Sequence, residues 1–182
     1  DAKEALKETN GDFDAAVKYL REKGLADSKK RSDREANQGT IGEYIHFQQD
    51  RAVAGVLVEL ACETDFVAKS PEFKDIAKQI AMHVAAMRPS YLNIEDIPEE
   101  KITEEKEIIL KQSENEGKPK DVMEKIVEGK ISSFYSDTVL NEQIFVNPEI
   151  YEGKVGVMIE EMSGKLGERI YIKKFSHLEV GK

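Results

Sequence analysis

One stretch limits the fold more than any other. Val53–Leu60 (VAGVLVEL) is almost uninterruptedly apolar, and it leads directly into Cys62-Glu63-Thr64-Asp65-Phe66. Such a run is far too short to span a bilayer and reads as a central strand covered on both faces. Gly55 within it predicts a bulge or a close backbone approach. A covered strand needs neighbours. Ile41, Ile45 and Phe47 alternate with polar residues, so Thr40–Phe47 reads as a half-buried strand joined to the first through a turn at Gln48-Gln49-Asp50-Arg51. Arg169–Leu178 is a third β-like run, disturbed at Lys173-Lys174. Together they predict a small three-stranded antiparallel sheet.

Helical spacing fills the middle of the chain. Ser70-Pro71-Glu72 combines a hydroxyl cap, a proline for the first turn and an acid at the positive end of the dipole. Phe73, Ile76, Ala77, Ile80, Val84 and Met87 then form one apolar stripe, ended by Pro89. Further helices are predicted over Glu99–Lys111, over Pro119–Phe134 with Gly129 a candidate kink, and over Gly153–Gly164. The class is therefore α+β, with helices packed on the sheet. At the N-terminal side, Asp1–Glu8 reads as the tail of a helix, broken by Asn10-Gly11. Asp12 is placed to cap a second helix bearing Phe13, Ala16, Val17 and Leu20, with Gly24 as its stop. Two short helices cannot bury a core alone and need a third helix, a partner or the main domain. The expected domains are a partial helical domain over 1–25, a linker helix over 26–38 and an α+β core over 39–182.

Charge narrows the functional classes. The 182 residues carry a net charge of −9, which disfavours a general nucleic-acid binder, since such proteins need a basic stripe to displace counterions. Nine acids against three lysines between Glu95 and Glu116 supply most of that excess, in the pattern of a solvated helix face. Lys29-Lys30-Arg31 with Arg34 is too short a basic run to bind nucleic acid. The single cysteine, Cys62, excludes an internal disulfide and a cysteine-rich zinc site, and the expected setting is a reducing cytoplasm without membrane attachment. The chain opens on Asp1 and not on Met, so an N-terminal piece is expected to be missing.

Catalytic signatures are absent: there is no P-loop, dinucleotide fingerprint, HExxH or nucleophile elbow. His46, His83 and His177 have no second ligand at helical spacing, so neither a metal nor another cofactor is expected. Glu63 and Asp65 could share acid–base work in a cleft, as in a small acidic hydrolase, although carboxylates at a strand end are more often solvated or capping. Cys62, ending an apolar strand, reads as an inert packing residue. His83 lies close to the apolar stripe and reads as a core or rim histidine. Phe66 would be core by default, yet its loop, between a rigid strand and a capped helix with polar neighbours, suits an outward-facing anchor.

At this loop the chain becomes recognisable. Leu57–Ala68 (LVELACETDFVA) resembles the signature of the elongation factor Ts family, guanine-nucleotide exchange factors for the GTPase elongation factor Tu. Asp1–Leu6, Asn10-Gly11-Asp12 and Leu20–Gly24 resemble the end of that family's N-terminal three-helix, UBA-like domain. Ile80–Ala86, Gly117-Lys118-Pro119 with Glu124–Gly129, and Gln143–Val146 resemble its core. The resemblance implies a protein without bond chemistry that binds elongation factor Tu·GDP and promotes GDP release for exchange with GTP. It implies that Phe66 is a wedge near the Mg²⁺ and phosphate side of the GTPase, that Asp65 positions the loop and contacts the GTPase, and that Thr64 and Val67 shape the turn. Lys3 and its helix would touch the GTPase domain, and His83 with its helix would face the third domain of elongation factor Tu. Gly55 belongs to the family's hairpin arm, here longer than usual, and is included among the partner-binding positions. One set of strands matches the short type of the family, for which a homodimer is expected. A helical adaptor that binds without changing nucleotide release is a third possibility.

Overall fold

The computed structural model describes residues 2–117 and 119–181, and within them all side chains except those of Lys29, Lys120 and Asp121. Asp1 and Lys118, which lie in stretches carrying the family resemblance, fall outside the described residues. Residues up to Ala85 together with those from Gly156 onward form one compact unit, and Ala86–Val155 form another.

In the first unit, strands β1 (Gln38–Gln48), β2 (Arg51–Cys62) and β3 (Tyr171–Glu179) form an antiparallel sheet in the order β1-β2-β3. β1 and β2 meet at a two-residue turn, Gln49-Asp50, where Gln49 takes a left-handed φ of 58°. Two irregularities mark the ladders. β1–β2 pairing shifts between His46 and Phe47, leaving Val53 as the extra residue; β2–β3 pairing shifts between Glu59 and Leu60, leaving Lys173 unpaired. The second accounts for the disturbance read at Lys173-Lys174. The first places the bulge two residues from Gly55, which itself pairs regularly with Ile45 and Leu178.

Helix α4 (Pro71–Met87) covers one sheet face, burying Phe73, Ala77, Ile80, Ala81 and Val84 against Val56, Val58 and Leu60. Its approach is so close at Gly42 that a Cβ there would stand 2.0 Å from the Ala77 carbonyl oxygen. Among the described residues no helix is laid over the middle of the other face, where Leu57 is exposed. β2 is therefore covered on both faces only towards its end: Leu57 is 50% exposed, beside exposed Ile41, Ile45 and Leu178. This corrects the expectation of a doubly covered strand, because an apolar run does not disclose what covers it.

α1 (Ala2–Glu8) and α2 (Phe13–Lys29) form a hairpin, and the Asp12 carboxylate caps α2 by accepting from Ala15 N at 2.9 Å. Gly24 does not stop α2, nor is there a separate linker helix: α2 runs through to Lys29, after which turns lead to β1 at Gln38. An interior glycine costs a helix about 1 kcal/mol. Here it allows α2 to cross α7 (Val155–Leu166) at Gly164. Arg21 donates to Glu161 and Arg31 to the Ser163 carbonyl at 3.5 Å beside that crossing. The main domain thus supplies the support that the two short helices lack. Phe13 and Val17, expected on their inner face, remain exposed.

In the second unit, α5 (Glu99–Asn115) and α6 (Lys120–Thr138) pack side by side, with Ile109 and Ile131 buried between them and Lys130 donating to Gln112 at 3.0 Å. The acidic run Glu99–Glu116 lies on the solvent side of α5, as a solvated face should. Leu110 on α5 and Val122 on α6 are exposed. Gln143 is fully buried and donates its amide to the Asp137 carbonyl at 2.9 Å.

Candidate functional site

The site is the exit of β2. Beyond Cys62 the chain forms a single helical turn, α3 (Asp65–Lys69), before Ser70 and the start of α4. Thr64 is its N-cap: the backbone is extended (φ −117°, ψ 152°) and the hydroxyl accepts from Val67 N at 3.3 Å. Ser70 repeats the device for α4, accepting from Phe73 N at 3.3 Å. Val67 and Ala68 turn inward and are buried. With the cap behind it and Val67 anchored below it, Phe66 has nowhere to turn but outward, and it is 83% exposed. A large ring so bare costs roughly 2 kcal/mol of unrealised burial. Among the described residues nothing covers the ring, which suits the outward-facing setting read from its sequence.

The carboxylates around the loop are committed to structure. The Lys69 ammonium, bonded to Asp65 at 2.5 Å, holds the Asp65 carboxyl below the usual carboxylate range. Glu63 Oε1 accepts from Arg169 N at 2.5 Å and from Arg34 Nη1 at 3.4 Å. An acid–base pair needs two groups whose affinities for protons are driven apart around a shared substrate. Here Asp65 is paired with a lysine and Glu63 accepts from a backbone amide and an arginine, so each carboxylate has a structural partner of its own and no shared cleft. Burial, followed by the negative charge of Glu168, pushes the Cys62 thiol up to about 11, so it is the inert packing residue its sequence position predicts. Among the described residues no group of three His, Cys, Asp or Glu side chains is arranged to hold a metal ion, and no helix is long and apolar enough to cross a membrane.

Of the residues singled out in the sequence, Thr64, Asp65, Phe66 and Val67 come together in this one turn. Lys3 lies exposed on α1. Gly55 lies seven residues upstream of Cys62 on an extended strand, about 23 Å away, where a Cβ would meet Ile45 Cδ1 at 3.2 Å. His83 is 0% exposed. The periodicity reading of a core histidine describes it; its ring has no surface to offer another chain, and exposed Met82 is the neighbouring residue on α4 that does. Sequence reasoning missed Glu168 and Arg169, which reach this turn from over a hundred residues away. Their only signal was the position of Gly167-Glu168 between a helical and a β-like run.

The comparisons with known proteins agree with one another. The family model described as "Elongation factor TS" matches residues 5–182. A protein named elongation factor Ts from Herpetosiphon aurantiacus is 48% identical over 182 residues, covering 100% of this chain and 89% of that protein. Those of the same name from Moorella thermoacetica and Thermosipho melanesiensis are 46% and 45% identical, again over 100% of this chain and over 87% and 90% of theirs. With its Thr-Asp-Phe-Val turn at the end of the central strand and a match along almost its whole length, the chain belongs to the elongation factor Ts family.

Proposed function

We propose that this chain is a guanine-nucleotide exchange factor that binds elongation factor Tu·GDP in the cytoplasm and drives GDP off. The observation that carries the proposal is Phe66, a bare ring on a capped turn whose backbone is held by its own fold. Exchange requires no bond chemistry. A protein that binds the nucleotide-free GTPase more tightly than the GDP form weakens GDP by the same factor. GDP depends on phosphate contacts to a glycine-rich loop and on Mg²⁺, and a ring wedged beside that loop displaces both. Phe66 is the wedge and Asp65 its flanking polar contact. Thr64 and Val67 set the turn. Lys3, with exposed Leu6, Phe13 and Val17, gives the helical hairpin a surface for the GTPase domain. Along α4, His83 supports from within a helix whose exposed side faces the third domain of the partner.

A homodimer fits the bare sheet face. Ile41, Ile45, Leu57 and Leu178 make an apolar patch on a surface able to pack against its own copy. The net charge of −9 favours a protein partner over direct contact with nucleic acid. The test is release of fluorescent GDP from elongation factor Tu. Addition of this protein should accelerate release, and Phe66→Ala should remove most of that acceleration, at least tenfold, with an unchanged circular dichroism spectrum. A folded Phe66→Ala variant with full activity rules out the wedge.

A further inference from the structure

The turn that carries Phe66 is tied down by a carboxylate that stands just before β3, the strand next to β2. The pairing of β2 with β3 ends at Ala61 and Tyr171, so the next amides have no strand to bond. Glu168 supplies the acceptors. Its Oε2 takes both Glu63 N and Thr64 N at 3.1 Å, and its Oε1 takes the Thr64 hydroxyl at 2.5 Å. Glu63 returns the gesture across the gap by accepting from Arg169 N at 2.5 Å. Each strand end thus lends its carboxylate to the other's backbone.

The Thr64 hydroxyl is the pivot. It has one hydrogen to donate and lone pairs to accept with. Donating to Glu168 fixes where that hydrogen points, and leaves a lone pair directed at Val67 N, which is the capping bond of α3. Glu168 is itself held. Gly167 ends α7 in the left-handed conformation (φ 72°), its N–H donating to the Ser163 carbonyl at 3.0 Å, and the buried Ser163 hydroxyl donates to the Glu168 carbonyl at 2.5 Å. A continuous chain of bonds therefore runs from the end of α7, through Glu168, to the cap two residues before Phe66.

We propose that Glu168 is a positioning residue for nucleotide exchange: it holds the Thr64 cap, and so the Phe66 turn, in the arrangement that enters the GTPase. This rests on the exchange reading above. A turn ordered in advance does not have to be ordered during binding, so the benefit falls mainly on the concentration of factor needed. Charge-assisted bonds are the stronger kind, which makes the carboxylate and not merely its volume the active feature.

Three measurements test it on the full chain. The protein has no tryptophan, so Phe66→Trp places a single fluorophore at the ring position. In that background Glu168→Ala should lower the fluorescence anisotropy and speed amide hydrogen exchange at Thr64 and Val67 by roughly tenfold. In GDP release from elongation factor Tu, Glu168→Ala should raise the half-saturating concentration roughly tenfold, with the saturating rate nearly unchanged. Glu168→Gln, which keeps one acceptor oxygen, should recover part of the loss. In a Phe66→Ala background, Glu168→Ala should cost less than about twofold more, because the group it positions is gone. Unchanged anisotropy and exchange overturn the proposal, as do losses that multiply in the double variant. If Glu168→Ala fails to fold, Glu168→Gln carries the same comparison, and wild-type behaviour from it in every readout is a refutation. If the unmodified protein does not accelerate GDP release, the exchange reading falls by itself, and anisotropy still decides whether Glu168 holds the turn.

Discussion

The crossing of α2 over α7 makes an asymmetric prediction. The ideal Cβ of an alanine at 164 would stand 2.8 Å from both the Cα and the carbonyl oxygen of Gly24, and 2.9 Å from its carbonyl carbon. These are backbone atoms that cannot rotate away. Carbon atoms rest about 3.5–4.0 Å apart, so the helices must separate by roughly 1 Å. The reverse substitution is harmless, since a Cβ at 24 has Gly164 Cα as its nearest neighbour, at an ordinary 3.8 Å. Either change gains up to about 1 kcal/mol of helix propensity. For Gly24→Ala that gain stands. For Gly164→Ala an overpacking cost of about 1–3 kcal/mol cancels or exceeds it, and the separation also strains the Arg21–Glu161 pair. The two variants should differ by about 2 kcal/mol, which in a domain of this size is about 4–8 °C in Tm. Thermal unfolding followed by circular dichroism measures this, and limited trypsin digestion should cut α2 sooner in Gly164→Ala. Equal melting temperatures, or Gly164→Ala the more stable of the two, would show that the helices do not meet there.

Other consequences are as direct. Leu57→Glu places a charge in the centre of the bare sheet face, and should shift a homodimer to monomer in sedimentation while leaving the melting curve of the monomer within about 1 kcal/mol of wild type; a dimer that persists locates the contact elsewhere. Cys62 should resist aromatic disulfide reagents at pH 8 until the protein is unfolded, because its thiol is buried and titrates at about 11. The same group sets a sign for alkaline stability. The unfolded thiol loses its proton near 9 and the folded one only at about 11. Between those values the unfolded state holds fewer protons, so stability should fall as pH rises, by on the order of 2 kcal/mol; in Cys62→Ala that part of the decline should vanish from urea titrations run at successive pH values.

Local chemistry decided what could be read in advance. The Ser-Pro-Glu start of α4, the Asp12 cap and the turn at Gln49-Asp50 are each written within a few residues, and each formed where its residues predict. Phe66 was legible from its setting more than from its type: a strand end, a capped helix and polar neighbours. What failed depended on distant partners. Gly24 has the composition of a helix stop, and only the presence of Gly164 on another helix explains why the helix continues. Leu57 has the composition of a core residue, and only the absence of a helix over that sheet face leaves it bare. Glu168 is one acid among many in an acidic chain. Its work depends on a separation of 104 to 105 residues that no periodicity records.

The clasp between the two strand ends also sets a timetable. As the chain leaves the ribosome, Phe66 and its turn emerge early, but Glu168 and Arg169, and the whole of β3, come more than a hundred residues later. Synthesis at about 5–20 residues per second makes that a lag of several seconds. During it the tip has its local cap and nothing to fasten it. The turn is fastened on both sides only once the closing strand has been made.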